Sequence, residues 1–271
     1  MTRFITNARM YSVTPEVEES WKALLGHVLA MAGVDFDYVP YPAPKPLEVL
    51  WEREDLGCVF MCGYPIAFQL SEVIPIAAPI PSAPWSQGKP LYRSDLIVRK
   101  DSPFRRIEDT FGHRVGWTVE HSHSGFNALR HHLLAYRTPK CPTLYSEAHG
   151  NLITARGILD AVLAGEIDVG PLDGYWHDLI RAYRPDLTDG IRVIASTDLA
   201  PIPSFVAAPG LPAETIVRLK TAFAAAHHQP WFAPLGEALH LTAFAPVELA
   251  DFERTLAWDR EAREQGYAMI A

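Results

Sequence analysis

The chain has 271 residues, of which 48% are hydrophobic and 21% charged, and its formal net charge is −8 with a pI near 5.7. This length and composition are typical of a globular protein with one large domain or two modest ones. Nonspecific nucleic-acid binding needs a concentrated basic surface, so the acidic balance argues against it, while a local pocket for an anion stays compatible.

The three cysteines, Cys58, Cys62 and Cys141, provide neither an even set for a disulfide framework nor close-spaced zinc ligands. The first residues lack a basic segment followed by an apolar stretch, so no secretory signal is predicted. No segment reaches the roughly 20 apolar residues that span a bilayer. As written, the sequence predicts a cytoplasmic protein, or a periplasmic one if an export signal has been trimmed.

In chain order, the first half alternates strands with helices. A short strand around Phe4 precedes a strong helix, which Thr14 caps, Pro15 starts and Gly33 ends. Further strands are predicted at residues 34–38, 57–62 and 73–79. This alternation predicts an α/β unit with a parallel sheet.

A second α/β unit follows. Its strands are predicted at residues 92–98, 113–119, 167–173 and 191–197, and its helices at 155–165 and 175–183. Only helices are expected after residue 197, and without a sheet of their own they should pack on the first unit. The chain then crosses twice, near Ser94–Val98 and Ile194–Thr197, which would form a hinge. The predicted organisation is a first lobe (1–96), an inserted second lobe (97–196) and a return to the first (197–271).

Small and polar residues follow three of the predicted strands. Cys62 and Gly63 follow the first, the stretch Ser122-His123-Ser124-Gly125 follows the second, and Asp173 with Tyr175 follows the third. In open parallel sheets, ligands bind beyond the carboxyl ends of the strands. The three stretches therefore predict one site if they face the same cleft.

The loop of residues 122–125 precedes an apolar-periodic run that is typical of a helix. The first N–H groups of a helix have no internal partners and carry the positive end of its dipole, so they bind anions. Ser122 and Ser124 add hydroxyl donors, and Gly125 allows close approach. Helix capping alone explains one serine and remains the alternative.

A metal site and a hydrolytic triad are the other chemistries that these residue types allow. A metal site is not favoured, because no His-x-x-x-His pair lies on one helix face, so His123 and His149 are interpreted as donors to an anion. A hydrolytic triad of Ser122 or Ser124, a histidine and Asp173 has the right residue types. It lacks the Gly-x-Ser-x-Gly elbow and ranks below binding.

Three blocks carry a family resemblance: "YRSDLIVRKDSPFRRIEDTFGHRVGW", "HSHSGFNALR" and "GILDAVLAGEIDVGPLDGYWHDLIRAYRPDLTDGIRVIASTDLAPIPSFV". Their order resembles the phosphonate-binding-like family, the solute-binding proteins of phosphate, phosphite and phosphonate ABC importers. The match covers roughly residues 55–210. It implies the type II periplasmic-binding-protein fold, or Venus flytrap: two α/β lobes with mixed, mostly parallel sheets, flanking helices and a ligand in the cleft.

The resemblance also implies roles for single residues. The anion grip corresponds to Ser122, His123, Ser124 and Gly125. An aromatic residue before the crossover corresponds to Tyr92, a histidine between strand and helix to His149, and an acidic residue to Asp173. Next to a phosphonate, such a carboxylate accepts a ligand amine or a protonated oxygen.

The expected function is binding of a small anionic solute, phosphate-like, phosphonate-like or a related organic anion, without catalytic residues, metal or cofactor. Further expected ligand contacts are Tyr11, Cys62, Gly63 and Tyr175. An ABC transporter permease is the expected partner, and a monomer is expected on family analogy. The alternative is a cytoplasmic enzyme on the same fold that uses His123 or His149 on a small metabolite.

Overall fold

The computed structural model describes residues 3–271. The strands are β1 (Ile5–Asn7), β2 (Asp37–Tyr38), β3 (Leu56–Met61), β4 (Ile74–Pro81), β5 (Leu91–Tyr92), β6 (Ser94–Arg99), β7 (Arg114–Gly116), β8 (Glu147–His149), β9 (Gly170–Asp173), β10 (Ile191–Ser196), β11 (Ala200–Pro201), β12 (Ser204–Ala207) and β13 (Leu241–Pro246). The α-helices are α1 (Pro15–Ala32), α2 (Leu47–Trp51), α3 (Gly63–Ala67), α4 (Ala128–Leu133), α5 (Ala155–Ala164), α6 (Gly174–Tyr183), α7 (Pro185–Thr188), α8 (Ala213–Ala225), α9 (Phe232–Ala238) and α10 (Glu253–Glu264). A π-helical turn, His123–Asn127, runs directly into α4.

Within the described residues the chain forms two compact units. Unit 1 contains residues 3–92 and 201–253, and unit 2 contains residues 93–200 and 254–271. The segments predicted as crossings, Ser94–Val98 and Ile194–Thr197, lie within unit 2, where β6 and β10 pair in antiparallel fashion. The hydrogen bonds of that ladder tie both segments into one sheet.

Unit 1 is built on a mixed sheet with the order β13-β4-β12-β3-β1-β2. Strand β1 pairs in parallel with β2 and β3, as the alternation of strands and helices predicts. Strands β12 and β13 pair in antiparallel fashion, β12 with β3 and β4 and β13 with β4. The expectation of helices alone after residue 197 is therefore wrong, because these strands join the sheet after the chain has left unit 2 and not through a local crossover helix.

Helix α1 has the caps that the sequence predicts. The Thr14 hydroxyl accepts the Val17 N–H at 3.3 Å, and Gly33 ends the helix with a φ of +63°, a left-handed conformation that favours glycine. Trp21 on its buried face meets Phe60 of β3 edge-on at 5.2 Å. Phe60 in turn stacks on Phe205 of β12 at 3.8 Å. This aromatic core holds helix and sheet together by burial of apolar area.

Unit 2 has β6 between β10 and β9, with antiparallel pairing on both sides. Strands β7 and β8 pair in parallel, and a parallel bridge between Val115 and Val169 brings β7 next to the start of β9. The carboxyl ends of β7, β8 and β9 thus lie at one edge of unit 2. The loops that follow these three ends hold the predicted site residues of this unit.

The last residues of the chain pack on unit 2, which differs from the expected return of all of 197–271 to the first lobe. Ala262, Tyr267 and Ile270 belong to the same buried cluster as Phe126 and Leu129. The apolar face of this C-terminal segment packs on unit 2. Its partners there are more than a hundred residues away in the sequence, so local patterns do not predict the contact.

Candidate functional site

The loop of residues 122–125 begins a continuous helical segment, because the π-helical turn at His123–Asn127 leads into α4. Ser122 has an extended backbone, and its hydroxyl oxygen accepts the Gly125 N–H at 3.0 Å. The Ser122 carbonyl accepts the Asn127 N–H, also at 3.0 Å. Ser122 is therefore an N-cap, and its O–H proton stays available for an acceptor outside the helix.

Gly125 lies against Thr118, in the loop that leaves β7. A Cβ at position 125 would overlap the Thr118 hydroxyl, and it would also come within 2.9 Å of the Ser122 hydroxyl oxygen. The Thr118 N–H donates to the Gly125 carbonyl at 3.2 Å. Within residues 3–271 the buried Thr118 hydroxyl has no hydrogen-bond partner. Sequence reasoning missed Thr118, although its position just beyond a strand end was a usable signal.

Ser124 connects this loop to the end of β9. Its hydroxyl lies 3.5 Å from Oδ2 of Asp173, and its carbonyl accepts the Ser94 hydroxyl at 2.8 Å. Oδ1 of Asp173 accepts the N–H groups of Tyr175 and Trp176, each at 3.0 Å. Asp173 is thus the N-cap of α6 and at the same time a carboxylate within 3.5 Å of the Ser124 hydroxyl.

His149 ends β8, beside the end of β7. Its register partner is Gly116, and its carbonyl accepts the Trp117 N–H at 2.9 Å. The imidazole Nε2 lies 3.2 Å from a carboxylate oxygen of Glu147, and both side chains are partly exposed. The structure brings His149, the serine loop and Asp173 to the same edge of unit 2.

His123 is buried and packs into the protein. Its ring stacks on Trp258 at 5.2 Å, and Nδ1 lies 3.3 Å from the Asn127 amide nitrogen. Burial lowers the pKa of His123 to about 3, and the nearby charges of His131 and Arg254 act in the same direction. At neutral pH the ring is therefore uncharged, so the predicted role of His123 as a donor to an anion would involve the N–H of the neutral imidazole.

A buried arginine fixes the helix behind the loop. Arg130 is 0% exposed; it forms an ion pair with Asp259 of α10, and it donates to the Asn127 side chain and the Ala268 carbonyl, both at 2.8 Å. Asn127 in turn donates to the Thr255 carbonyl at 2.9 Å. Sequence reasoning did not single out Arg130, because two of its partners, Asp259 and Ala268, are more than a hundred residues away in the sequence.

In unit 1, the predicted residues lie at the ends of neighbouring parallel strands. Tyr11 follows β1 and is 1% exposed, with its ring edge-on to Phe60 at 5.1 Å. Cys62 is the N-cap of the short helix α3. A Cβ on Gly63 would come within 2.7 Å of the Phe252 ring, so this position tolerates no side chain without rearrangement.

Two predicted tyrosines are core residues. Tyr92 in unit 1 is 1% exposed, and Tyr175 in unit 2 is 0% exposed. Burial raises the pKa of Tyr175 well above its ordinary value, and the charge of Asp173 adds to the effect. Both side chains pack in the core, and their roles as ligand contacts stay predictions.

Two further observations concern metal ions and the bilayer. Among residues 3–271, no group of three or more His, Cys, Asp or Glu side chains is arranged to hold a metal ion. In the same part of the chain, none of the helices has the length and apolar character that a bilayer crossing requires.

Several solved structures have the same fold. A binding-protein component of an ABC phosphonate transporter from Pseudomonas aeruginosa has a TM-score of 0.79 and 15% identity, with 98% of this chain and 88% of that chain covered. PhnD1 from Prochlorococcus marinus, in complex with methylphosphonate, has a TM-score of 0.75 and 15% identity, covering 97% and 98%. A Xanthomonas citri protein bound to ATP has a TM-score of 0.67 and 17% identity, covering 98% and 99%. These likenesses establish the fold.

A search of curated proteins found no significant match. The family model described as "ABC transporter, phosphonate, periplasmic substrate-binding protein" matches residues 12–252. The match extends over both units and includes the serine loop, and it agrees with the resemblance drawn from the sequence blocks. The chain therefore belongs to the family of periplasmic substrate-binding proteins of phosphonate ABC transporters.

Proposed function

We propose that this chain binds a small organic anion of the phosphonate type at the serine loop of unit 2 and presents it, as a monomer, to an ABC transporter permease. The observation that carries the proposal is the helix start at residues 122–125, where a capping serine, a second serine and a glycine without room for a Cβ meet at a strand edge. Backbone N–H groups at a helix start bind phosphate-like groups without a cation.

The residues next to the serine loop bear on the charge state of the anion that it is proposed to bind. Ser124 and Asp173 lie within reach of one another, so an anionic group near Ser124 also approaches a carboxylate. A fully deprotonated dianion is repelled there, whereas a phosphonate that keeps one proton, or one with an amine, can donate to Asp173. Thr118, with its unused hydroxyl, and His149 are available as additional donors.

The relatives suggest the first probe. PhnD1 was solved with methylphosphonate and the Xanthomonas citri protein with ATP. Methylphosphonate contains the group that the serine loop is proposed to hold and nothing larger, so it tests that loop directly. The family match and the relative solved with methylphosphonate support binding over the alternative of an enzyme that uses His123 or His149.

The experiment is a calorimetric titration of methylphosphonate into the wild type and into Gly125→Ala. The added methyl group overlaps Thr118 and displaces the loop. Loss of two hydrogen bonds to a charged group weakens binding by about 100-fold.

Gly26→Ala is the matched control, because a Cβ there meets no atom within 4 Å. It should leave affinity unchanged. Ser124→Ala, which creates no overlap, should weaken binding by about tenfold and separates loss of contacts from misfolding. Wild-type affinity in both Gly125→Ala and Ser124→Ala would contradict the proposed site.

A further inference from the structure

Unit 2 contains a cavity of about 210 Å³ along α6, lined also by residues of α7 and β10 and by Lys100, which follows β6. The serine loop meets β6 at the start of that strand, where the Ser94 hydroxyl donates to the Ser124 carbonyl. Lys100 lies beyond the other end of β6, where Arg99 is the register partner of Ile191. At about 3.3 Å per residue, the length of β6 puts roughly 16 Å between these two ends.

Apolar side chains form one part of the lining. Ile191 and Val193 of β10 and Pro185 of α7 belong to it, and Val193 is 39% exposed. A small hydrocarbon group would remove this apolar surface from water. Pockets for drug-sized ligands measure about 300–1,000 Å³, so this smaller cavity selects a smaller molecule.

A positive and a negative side chain line the same cavity without a salt bridge. In the described part of the chain, neither Lys100 nor Asp189 forms an ion pair, whereas Arg181 of the lining is paired with Asp178 at 2.8 Å. The Lys100 N–H donates to the Gly190 carbonyl at 2.8 Å, which holds the backbone of Lys100 beside the residue that follows Asp189. The cavity therefore offers a ligand one cation and one anion that the chain itself does not neutralise.

His177 of α6 adds a buried polar group to the lining. It is 4% exposed, and its Nδ1 lies 2.9 Å from Oδ2 of Asp95. Burial raises the pKa of the Asp95 carboxyl, but its hydrogen bonds with His177 and Ser196 lower it more, so that the pKa lies below its ordinary value. An ionised carboxylate only accepts hydrogen bonds, so Nδ1 carries the proton, and Nε2 of the neutral ring is left as an acceptor.

A ligand with a single charge suits this lining poorly. A carboxylate bound at Lys100 would also be close to Asp189 and repelled by it, and an amine bound at Asp189 would be repelled by Lys100. A molecule that has both groups turns the two repulsions into two attractions. Its net charge is zero, so the overall charge of the protein does not oppose its approach.

We propose that this cavity binds a small zwitterion with an apolar body, which is the chemistry of a free aliphatic amino acid. Lys100 binds the carboxylate, Asp189 and Nε2 of His177 accept hydrogen bonds from the ammonium group, and the apolar part of the lining covers the hydrocarbon. The inference does not rest on the function proposed for the serine loop.

The test is a titration at constant pH and ionic strength, followed by NMR of protein labelled with ¹³C on the methyl groups of valine and isoleucine. The Val193 signals are assigned by their disappearance in Val193→Ala. The probe is L-leucine, and it is compared with isocaproate, which lacks only the amine, and with isoamylamine, which lacks only the carboxylate. A saturable shift of the Val193 signals is expected with leucine, and each analogue should bind about tenfold more weakly.

Two charge variants assign the groups of the ligand. Lys100→Gln should weaken leucine binding about tenfold, but should leave the binding of isoamylamine unchanged or stronger. Asp189→Asn should also weaken leucine binding about tenfold, but should leave that of isocaproate unchanged or stronger. Both residues are exposed, so neither change should disturb the fold.

The matched controls are Lys140→Gln and Asp198→Asn, at exposed residues of unit 2 that do not line the cavity. Both should bind leucine like the wild type. Ile153, which is 46% exposed and also lies outside the lining, is the reference signal for nonspecific effects.

Three results overturn the proposal. In the first, leucine produces no shift of the Val193 signals, or only a linear one in parallel with that of Ile153. In the second, leucine and its two analogues bind equally well, which would reduce the cavity to an apolar surface. In the third, either charge variant binds leucine with the affinity of the wild type, so that the zwitterion does not use both charges.

Discussion

The carboxyl edges of the two units have different chemistry. In unit 2, hydroxyl and backbone N–H groups surround Gly125, with Ser122 as the cap. In unit 1, the cationic side chains of Arg9 and Lys45 both lie near the Tyr41 ring. A dipole site selects by shape and hydrogen-bond geometry, whereas a charge site attracts any anion and is sensitive to salt.

The serine loop of unit 2 is supported by an aromatic side chain of α10 and by a buried arginine. Trp258 of α10 stacks on His123 of the loop and on His131 of α4, the latter at 4.6 Å with the rings nearly parallel. Arg130 adds its ion pair to the same helix. The cations near Tyr41 in unit 1 have a simpler support, the side chain of Asn7, which accepts the Arg9 N–H and donates to the Val39 carbonyl.

The largest effect should come from removing this aromatic support. Trp258→Ala deletes a side chain that is 6% exposed, and truncation of a buried tryptophan costs about 3–5 kcal/mol of unfolding free energy. Chemical denaturation measures this loss, and calorimetry should show weaker methylphosphonate binding because His123 is no longer held.

The control for this variant is Trp231→Ala. Trp231 also stacks on a histidine, His27 of α1, at 4.6 Å, but in unit 1. It should lower stability without changing methylphosphonate affinity. Equal losses of affinity in the two variants would mean that stability as a whole, and not the support behind the serine loop, governs binding.

The sequence predicted the elements that local rules determine. Thr14, Gly33 and Gly165 mark helix ends, and the structure has them there. Local rules also led to the serine loop, because a helix N-terminus after a strand can be recognised from a few residues.

What the sequence could not reveal depends on distant partners. β13 is recognisable only once β4 is beside it, and residues 254–271 pack on unit 2 because Trp258 and Ala262 fit surfaces more than a hundred residues away. The contact between Arg9 and Tyr41 was not predicted for the same reason, since the two residues become neighbours only through the pairing of β1 with β2.

The second-largest effect concerns the pH dependence of stability. His123 has a folded-state pKa of about 3 against an ordinary 6.5, so below pH 6.5 the unfolded chain binds a proton that the folded chain does not. Stability therefore falls as the pH drops from 6.5 towards 3, by about 2 kcal/mol at about pH 5 from this residue alone. Unfolding free energies of the wild type and His123→Asn across this range measure the slope.

The variant should lose that part of the slope, and the control His27→Asn, at an exposed histidine of unit 1, should keep it. Identical pH profiles for the wild type and His123→Asn would mean that the ring is not buried in its neutral form. The interpretation of His123 as a packing residue would then be wrong.

The smallest effect concerns salt. Raising sodium chloride from about 50 to about 200 mM shortens the Debye length and weakens the interactions of exposed charges. At the serine loop, the donors are neutral and the overall charge of −8 repels the ligand, so screening should leave methylphosphonate affinity unchanged or slightly improved. A clear loss of methylphosphonate affinity at the higher salt concentration would contradict this expectation, because long-range charge, and not local hydrogen-bond geometry, would then dominate at the serine loop.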